Sequence, residues 1–307
     1  MRPRIDILLA SYNGAKFIGY QLDSIIAQWD SHIRLLIRDD GSTDGTSAII
    51  AQYALQYPHI ITILPTDCNV GATQNFNILL QHADADFIFF SDQDDIWEKD
   101  KISLTLQSFT PDIATPQMCF TDLCKIDEAG NIINTSLYRH ENINPLYTNT
   151  HRLLMQNVPY GCTMAINKSL AEVIKSIPSE ALLHDHWIAL TSSLFGEIHY
   201  LPTATIRHRI HDTNASRAAS VHRKEQDPSW RSKLRNDNFN NYLRKLCLQA
   251  EALLRNYESR LTEAQKLLLQ DFVRLAQQHG ITRKYNLLKN RFFKHSFKTN
   301  IITILRA

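Results

Sequence analysis

Three acids fall within four residues at Ser91-Asp92-Gln93-Asp94-Asp95-Ile96-Trp97, directly after the apolar run Asp86-Phe87-Ile88-Phe89-Phe90. A short run rich in aromatic and β-branched residues reads as a buried strand, so the acids arrive at the edge of a sheet. Side chains alternate along an extended chain, which turns Asp92 and Asp94 the same way and lets them share one ligand. Two hard oxygen donors with no neighbouring cation suit Mg²⁺ or Mn²⁺ carrying a phosphorylated substrate. The plainer alternative is an acidic loop that favours the N-terminus of a following helix near Trp97-Glu98-Lys99.

The elements that must position these acids alternate. Ile5–Leu9, Ile33–Ile37, Ile60–Leu64 and Phe87–Phe90 read as strands, and Gly14–Gln28, Asp44–Tyr57 and Gly71–His82 as helices. This order, with short and fully apolar strands, predicts an α/β fold with a mostly parallel central sheet and flanking helices. Ligands of such sheets bind beyond the carboxyl ends of the strands. Each of those ends is polar here. Ala10-Ser11-Tyr12-Asn13-Gly14 combines small residues, over which a ligand can approach the backbone, with Tyr12 as a flat face for a nucleobase. Arg38-Asp39-Asp40-Gly41 offers Asp39 and Asp40 to a pyrimidine N–H, with Ser42, Thr43 or Asp44 as simple helix caps in the alternative. Asn69, before Gly71, is the third candidate for a base or ribose, or else a cap. Neither GxGxxG nor GxxxxGK[ST] occurs, which leaves a metal-bound nucleoside diphosphate.

Ile7–Gly14, Gln21–Ile25, Arg38–Gly45, Asn69–Gly71 and Ser91–Trp97 together resemble inverting family 2 glycosyltransferases of the GT-A type, and within them bacterial rhamnosyltransferase-like members. The likeness runs over about residues 5–215. It implies a catalytic domain over 1–215 and a helical, basic C-terminal region over 216–307. It also implies roles: Asp92 toward the ribose and metal, Asp94 on the metal, and Asp185 of His184-Asp185-His186-Trp187 as the base that deprotonates the acceptor, held or tuned by the flanking histidines. Arg207–Asn214 resembles the segment that closes over the diphosphate, with Arg209 and His211 neutralising the leaving group and His211 also a third metal ligand. Asp212 stands where that family often has Gly. The implied reaction moves a sugar, first of all L-rhamnose from dTDP-rhamnose, onto a cell-surface polysaccharide or lipid-linked glycan. Transfer of a hexose or N-acetylhexosamine from a UDP-sugar is the alternative, and a non-catalytic glycan-binding or scaffold protein is the reading from another class.

Between residues 117 and 210 the pattern is mixed. Met118–Ile126 and Ile132–Ile133 predict a hairpin, Cys162–Ile166, Ile198–Leu201 and Ala204–Arg209 strands, and Asn149–Gln156, Lys168–Ile174 and His186–Phe195 helices. From Arg231 to Gln278 the sequence predicts two long helices divided near Ser259–Thr262. The 307 residues carry a net charge of +2, which conceals a division. Residues 217–307 hold 19 basic and 7 acidic side chains, and none of the acids lies beyond Asp271. In the last stretch Leu287, Leu288, Phe292, Phe297, Ile301 and Leu305 recur at roughly helical spacing among lysines and arginines. Residues 284–307 therefore predict either a helix packed on the protein or a segment lying on an anionic membrane. No nucleic-acid-binding motif accompanies the charge. Five cysteines without a CxxC pair, and a start without a signal-like apolar region, predict a cytoplasmic protein with reduced thiols, peripheral at the inner face of the plasma membrane if the tail docks there.

Overall fold

A computed structural model describes residues 2–211, 236–294 and 297–306. Asp212 and Asn214 lie outside these residues. The first half builds β1 (Ile5–Ser11), α1 (Ile18–Ile26), β2 (Ile33–Asp39), α2 (Thr46–Gln56), β3 (Ile61–Ile63), α3 (Ala72–Gln81) and β4 (Phe87–Ser91). After it come β5 (Ile96–Trp97), α4 (Lys101–Leu106), β6 (Gln117–Ile126), β7 (Ile132–Asn134), α5 (Leu137–His140), α6 (Thr150–Leu153), β8 (Met164–Asn167), α7 (Lys168–Ile174), α8 (His184–Phe195) and β9 (Glu197–Arg209). The strands form one sheet in the order β3-β2-β1-β4-β8-β6-β9-β5, with β7 paired to β6. It is parallel from β3 to β4 and mixed beyond, because β8 runs antiparallel to both β4 and β6.

Apolar residues on one stripe of each helix explain the packing. Ile18, Leu22 and Ile25 of α1 and Phe76, Leu79 and Leu80 of α3 are buried against the sheet. The register sets Ser11 beside Asp39 and Leu9 beside Ser91, so the carboxyl ends of β1, β2 and β4 share one edge.

Two boundaries differ from expectation. The segments 198–201 and 204–209 are one strand, β9, whose pairing with β6 jumps from Leu201 to Ala204. Pro202 falls at that irregularity, where a strand tolerates a residue without an N–H. Conversely, the strand expected from Cys162 begins only at Met164, because Gly161–Thr163 form a 3₁₀ turn.

The C-terminal helices α9 (Asn236–Tyr257) and α10 (Glu263–Arg274) divide as expected, and α10 opens with a capping box between Thr262 and Gln265. They share a continuous apolar core with the sheet region, and the expected boundary at 215/216 lies outside the described residues. Tyr257 stacks on Trp187 of α8 at 6.1 Å. Residues 284–307 are not one helix. They divide between α11 (Gly280–Lys289) and α12 (Phe297–Arg306), and Leu287 and Phe292 face the protein interior. Phe292 sits against Phe272 of α10 at 4.9 Å. Among the described residues no helix is long and apolar enough to cross a membrane. Cys68 is exposed and the other four cysteines are buried and free.

The joint between α8 and β9 leaves no room for a side chain: a Cβ on Gly196 would lie 1.9 Å from the carbonyl oxygen of Pro116. Backbone cannot give way as a side-chain tip can. Gly196→Ala is expected to cost about 3 kcal/mol, read as a lower urea midpoint at unchanged m-value. An unchanged midpoint would show slack at this joint.

Candidate active site

The acidic turn 91–97 is clamped from two sides. From α1, the buried Gln21 amide takes the orientation that satisfies every partner: it donates to the Asp95 carbonyl at 2.7 Å and accepts from the Trp97 indole N–H at 3.1 Å and the Ser91 hydroxyl at 2.7 Å. Ser24, one turn on, accepts the Trp97 backbone N–H at 3.0 Å. From β1, the Tyr12 N–H donates to Gln93 Oε1 at 2.8 Å and Gln93 Nε2 returns a bond to the Tyr12 carbonyl at 2.9 Å. Gly14 makes room for that amide, since a Cβ there would meet Gln93 Oε1 at 2.1 Å. The sequence marked Gln21 and Gln93 only as parts of motifs. Their role as clamps was not legible, because it depends on which loop lies opposite.

Asp94 and His211 meet here, with His211 Nε2 at 2.7 Å from Asp94 Oδ2. Asp92 stands beside them half-buried. Burial, followed by the charges of Asp95 and Asp94 and more weakly of Asp185, pushes its carboxyl well above the usual range. Asp92, Asp94 and His211, the expected metal ligands, offer carboxylate oxygens and one imidazole nitrogen, donors of the type that suits Mg²⁺ or Mn²⁺. Among the described residues the group whose potential ligand atoms lie within 4.8 Å of one another is instead the buried Asp95, Cys162 and His208.

Asp95 has a different office. Its Oδ1 lies 2.8 Å from His208 Nδ1 in a buried pair. Burial pushes the Asp95 carboxyl up, but the His208 imidazolium outweighs it and holds it below the usual range. Burial alone would likewise depress His208, yet Asp95, with Asp94 and Asp92 behind it, raises it to about 9.

Asp185 occupies the first turn of α8, where the helix N-terminus favours an anion. Its Oδ2 accepts the Gly161 N–H at 3.1 Å and its Oδ1 the His186 N–H at 2.6 Å. Burial raises the carboxyl to about 6, restrained by those N–H groups and by the Asn157 side chain. The flanking histidines do not hold it, contrary to expectation. His186 Nε2 lies 2.6 Å from the Leu153 carbonyl and its Nδ1 faces the Gln249 amide at 3.2 Å, a neutral ring fixed by α9. His184 packs its ring on Phe76 at 3.9 Å, and burial pushes it down to about 3.

The other expected contacts divide. Half-exposed Tyr12 and partly buried Ala10 line the strand-end edge. Asp39 is buried under the loops and accepts from the Ser11 hydroxyl at 3.0 Å and the Ser42 N–H at 3.1 Å. Exposed Asn69 donates to the Asp40 carbonyl at 2.9 Å and does not cap α3. Asp40, which the sequence offers to a pyrimidine N–H, already has partners within the protein. Its carboxylate takes Arg38 Nη1 at 2.7 Å and the N–H groups of Val70 and Gly71, the latter at 2.8 Å, so it builds the turn that presents Asn69. Arg209 is also more committed than expected. Its Nη1 donates to the carbonyls of Glu128 at 2.9 Å and Asp127 at 3.3 Å, and its Nε to that of Asp94 at 3.3 Å.

A group whose pKa is raised on folding contributes stability below its unfolded value and loses it on the way to the folded one. For His208 that window runs from 6.5 to about 9. His208→Gln should lower the melting temperature most near pH 6, and the gap to the wild type should close toward pH 9. A gap independent of pH would dismiss the ion pair as the cause.

Residues 6–172 match the family model described as glycosyl transferase family 2. A stretch of 98 residues is 50% identical to dTDP-rhamnosyl transferase RfbG of Shigella flexneri, 31% of this chain and 34% of that protein. Another of 106 residues is 33% identical to the putative teichuronic acid biosynthesis glycosyltransferase TuaG of Bacillus subtilis, 34% of this chain and 42% of that one. The chain therefore spans well under half the length of these curated relatives. Among solved structures, S. aureus TarS 1-349 in complex with UDP-GlcNAc superposes with a TM-score of 0.57 at 15% identity, over 94% of this chain and 79% of that one. The mannosyltransferase PcManGT of Pyrobaculum calidifontis, in complex with GDP-Man and Mn²⁺, gives 0.57 at 16%, over 100% and 86%. At such identities these two show a shared GT-A fold. With more than half of the chain inside the family model, the protein belongs to glycosyl transferase family 2.

Proposed function

We propose that this protein is an inverting, metal-dependent glycosyltransferase that moves L-rhamnose from dTDP-rhamnose onto a cell-surface polysaccharide, such as O-antigen or capsule, or onto its lipid-linked precursor. The observation that carries the reading is the meeting of Asp94 with His211 beside Asp92, with Asp185 near enough for its charge to act on Asp92. The 50% identity to a dTDP-rhamnosyl transferase supports the choice of donor. A lipid-linked acceptor would bring the protein to the inner face of a membrane.

In this reading Asp92, Asp94 and His211 would hold Mg²⁺ or Mn²⁺, which would supply positive charge against the diphosphate. Ala10 and Tyr12 lie along the base, Asn69 toward base or ribose, and Asp39 positions the loops beneath. The carboxylate of Asp185 takes the proton of the acceptor hydroxyl as that oxygen forms a bond to C1 of the sugar. The C1–oxygen bond to the diphosphate breaks from the opposite face, its electron pair leaves with the nucleoside diphosphate, and the configuration at C1 inverts. A carboxyl raised to about 6 is a stronger base than an ordinary aspartate and is still ionised at neutral pH. Arg209 acts from below, by fixing the Asp94 carbonyl against the turn at 127–128, and brings a buried positive charge near the leaving group.

Thermal shifts with dTDP, UDP and the corresponding sugar nucleotides, each with and without Mn²⁺, test the donor site. Metal-dependent stabilisation with dTDP ahead of UDP is expected; UDP ahead would move the reading to a UDP-hexose or N-acetylhexosamine, and no shift with any nucleotide would favour a non-catalytic glycan-binding or scaffold role. Asp185→Asn is expected to lower kcat by about 10²–10⁴-fold while leaving that shift intact. Wild-type transfer should rise with pH up to about 6 and level off above it. A profile flat down to pH 4 would remove Asp185 from the role of base.

A further inference from the structure

Helix α11 has two unlike sides. Arg283 and Leu287, four residues apart, face inward, and Arg283 Nη1 donates to Asn240 of α9 at 2.6 Å. On the other side Ile281, Tyr285 and Leu288 are 85%, 63% and 50% exposed. At about 100° per residue these three fall within about 60° of one another. Lys284 and Lys289 then flank the stripe, one on each edge. In α12, Ile301 and Leu305 are exposed as well. Seven lysines and arginines lie between residues 283 and 306, with no acid among them.

We infer that the Ile281–Tyr285–Leu288 face docks on an anionic phospholipid surface. An apolar stripe edged by lysines matches a helix lying in the plane of an interface: the aliphatic residues sink below the headgroups, Tyr285 places its ring at their level, and the lysine stems follow the apolar surface while their ammonium groups stay with the phosphates. Charge decides the occupant. A symmetric pair of copies meeting through this face would set Lys284 and Lys289 against their own equivalents, whereas an anionic lipid surface complements them. The docking face is thus not the set of residues that periodicity alone selects, since Leu287 and Phe292 are spent in the interior and Ile281 takes their place. The inference deepens the peripheral placement proposed above but is independent of transfer chemistry.

The 307-residue protein is tested by flotation with vesicles of phosphatidylcholine alone and of phosphatidylcholine mixed with phosphatidylglycerol. It is expected to float with the anionic vesicles only, and less at high salt. The triple variant Ile281→Ser, Tyr285→Ser, Leu288→Ser should lose at least tenfold of this partition, and Lys284→Glu with Lys289→Glu should lose more than roughly tenfold through charge. All three substituted apolar positions are exposed, and an unchanged melting temperature and nucleotide thermal shift would show that the fold and donor site are intact. Wild type that stays unbound, or a triple variant that floats as well as wild type, overturns the inference. So does a wild-type dimer, seen by light scattering, that the triple variant turns into a monomer.

Discussion

Carboxylates crowded into one turn repel one another, and the buried pair of Asp95 with His208 is what lets this turn keep its shape. Without a cation in the interior, three acids in four residues would spread toward water. His208 reaches the turn from β9, a strand far along the chain, and its imidazolium compensates one charge while leaving Asp92 and Asp94 directed outward. The Gln21 and Gln93 amides then fix the backbone around the pair. The two acids proposed to face the ligand keep their place because the third, Asp95, is paired with His208.

The same division of labour runs through the other strand ends. Asp40 and Asp39 look equivalent in sequence, yet Asp40 closes a turn for Asn69 and Asp39 ties hydroxyls and an N–H beneath the loops. Asp185 is the converse case. It is built into a helix start and shielded by neutral histidines, so burial rather than a neighbouring charge sets its basicity.

Much of this was legible in advance, and the reason is periodicity. Strands from Ile5 to Phe90 and helices from Gly14 to His82 followed apolar spacing closely enough to place every polar strand end on one edge. The failures are instructive where they occur. The 3₁₀ turn at Gly161–Thr163 lies against His184, a residue of a later helix, whose Nε2 would sit 2.5 Å from a Cβ at Gly161. The continuity of β9 through Pro202 depends on a bulge opposite Asp122. The N–H groups that Asp40 takes from Val70 and Gly71, and the partners of the Arg209 and His186 side chains, come from distant segments. Local pattern gives residue types and the edge on which they stand; it cannot say which of two identical acids faces inward, because that is decided by donors tens of residues away.

One further consequence concerns Cys68. It is the exposed thiol of the chain, with the other four sulfurs shut inside, and its carbonyl accepts Arg38 Nη2 at 3.2 Å in the loop that carries Asn69. A maleimide fluorophore would therefore attach at a single position, without engineering, on the rim of the strand-end crevice. The native chain thus offers its own attachment point for a spectroscopic reporter, beside the loop that carries Asn69.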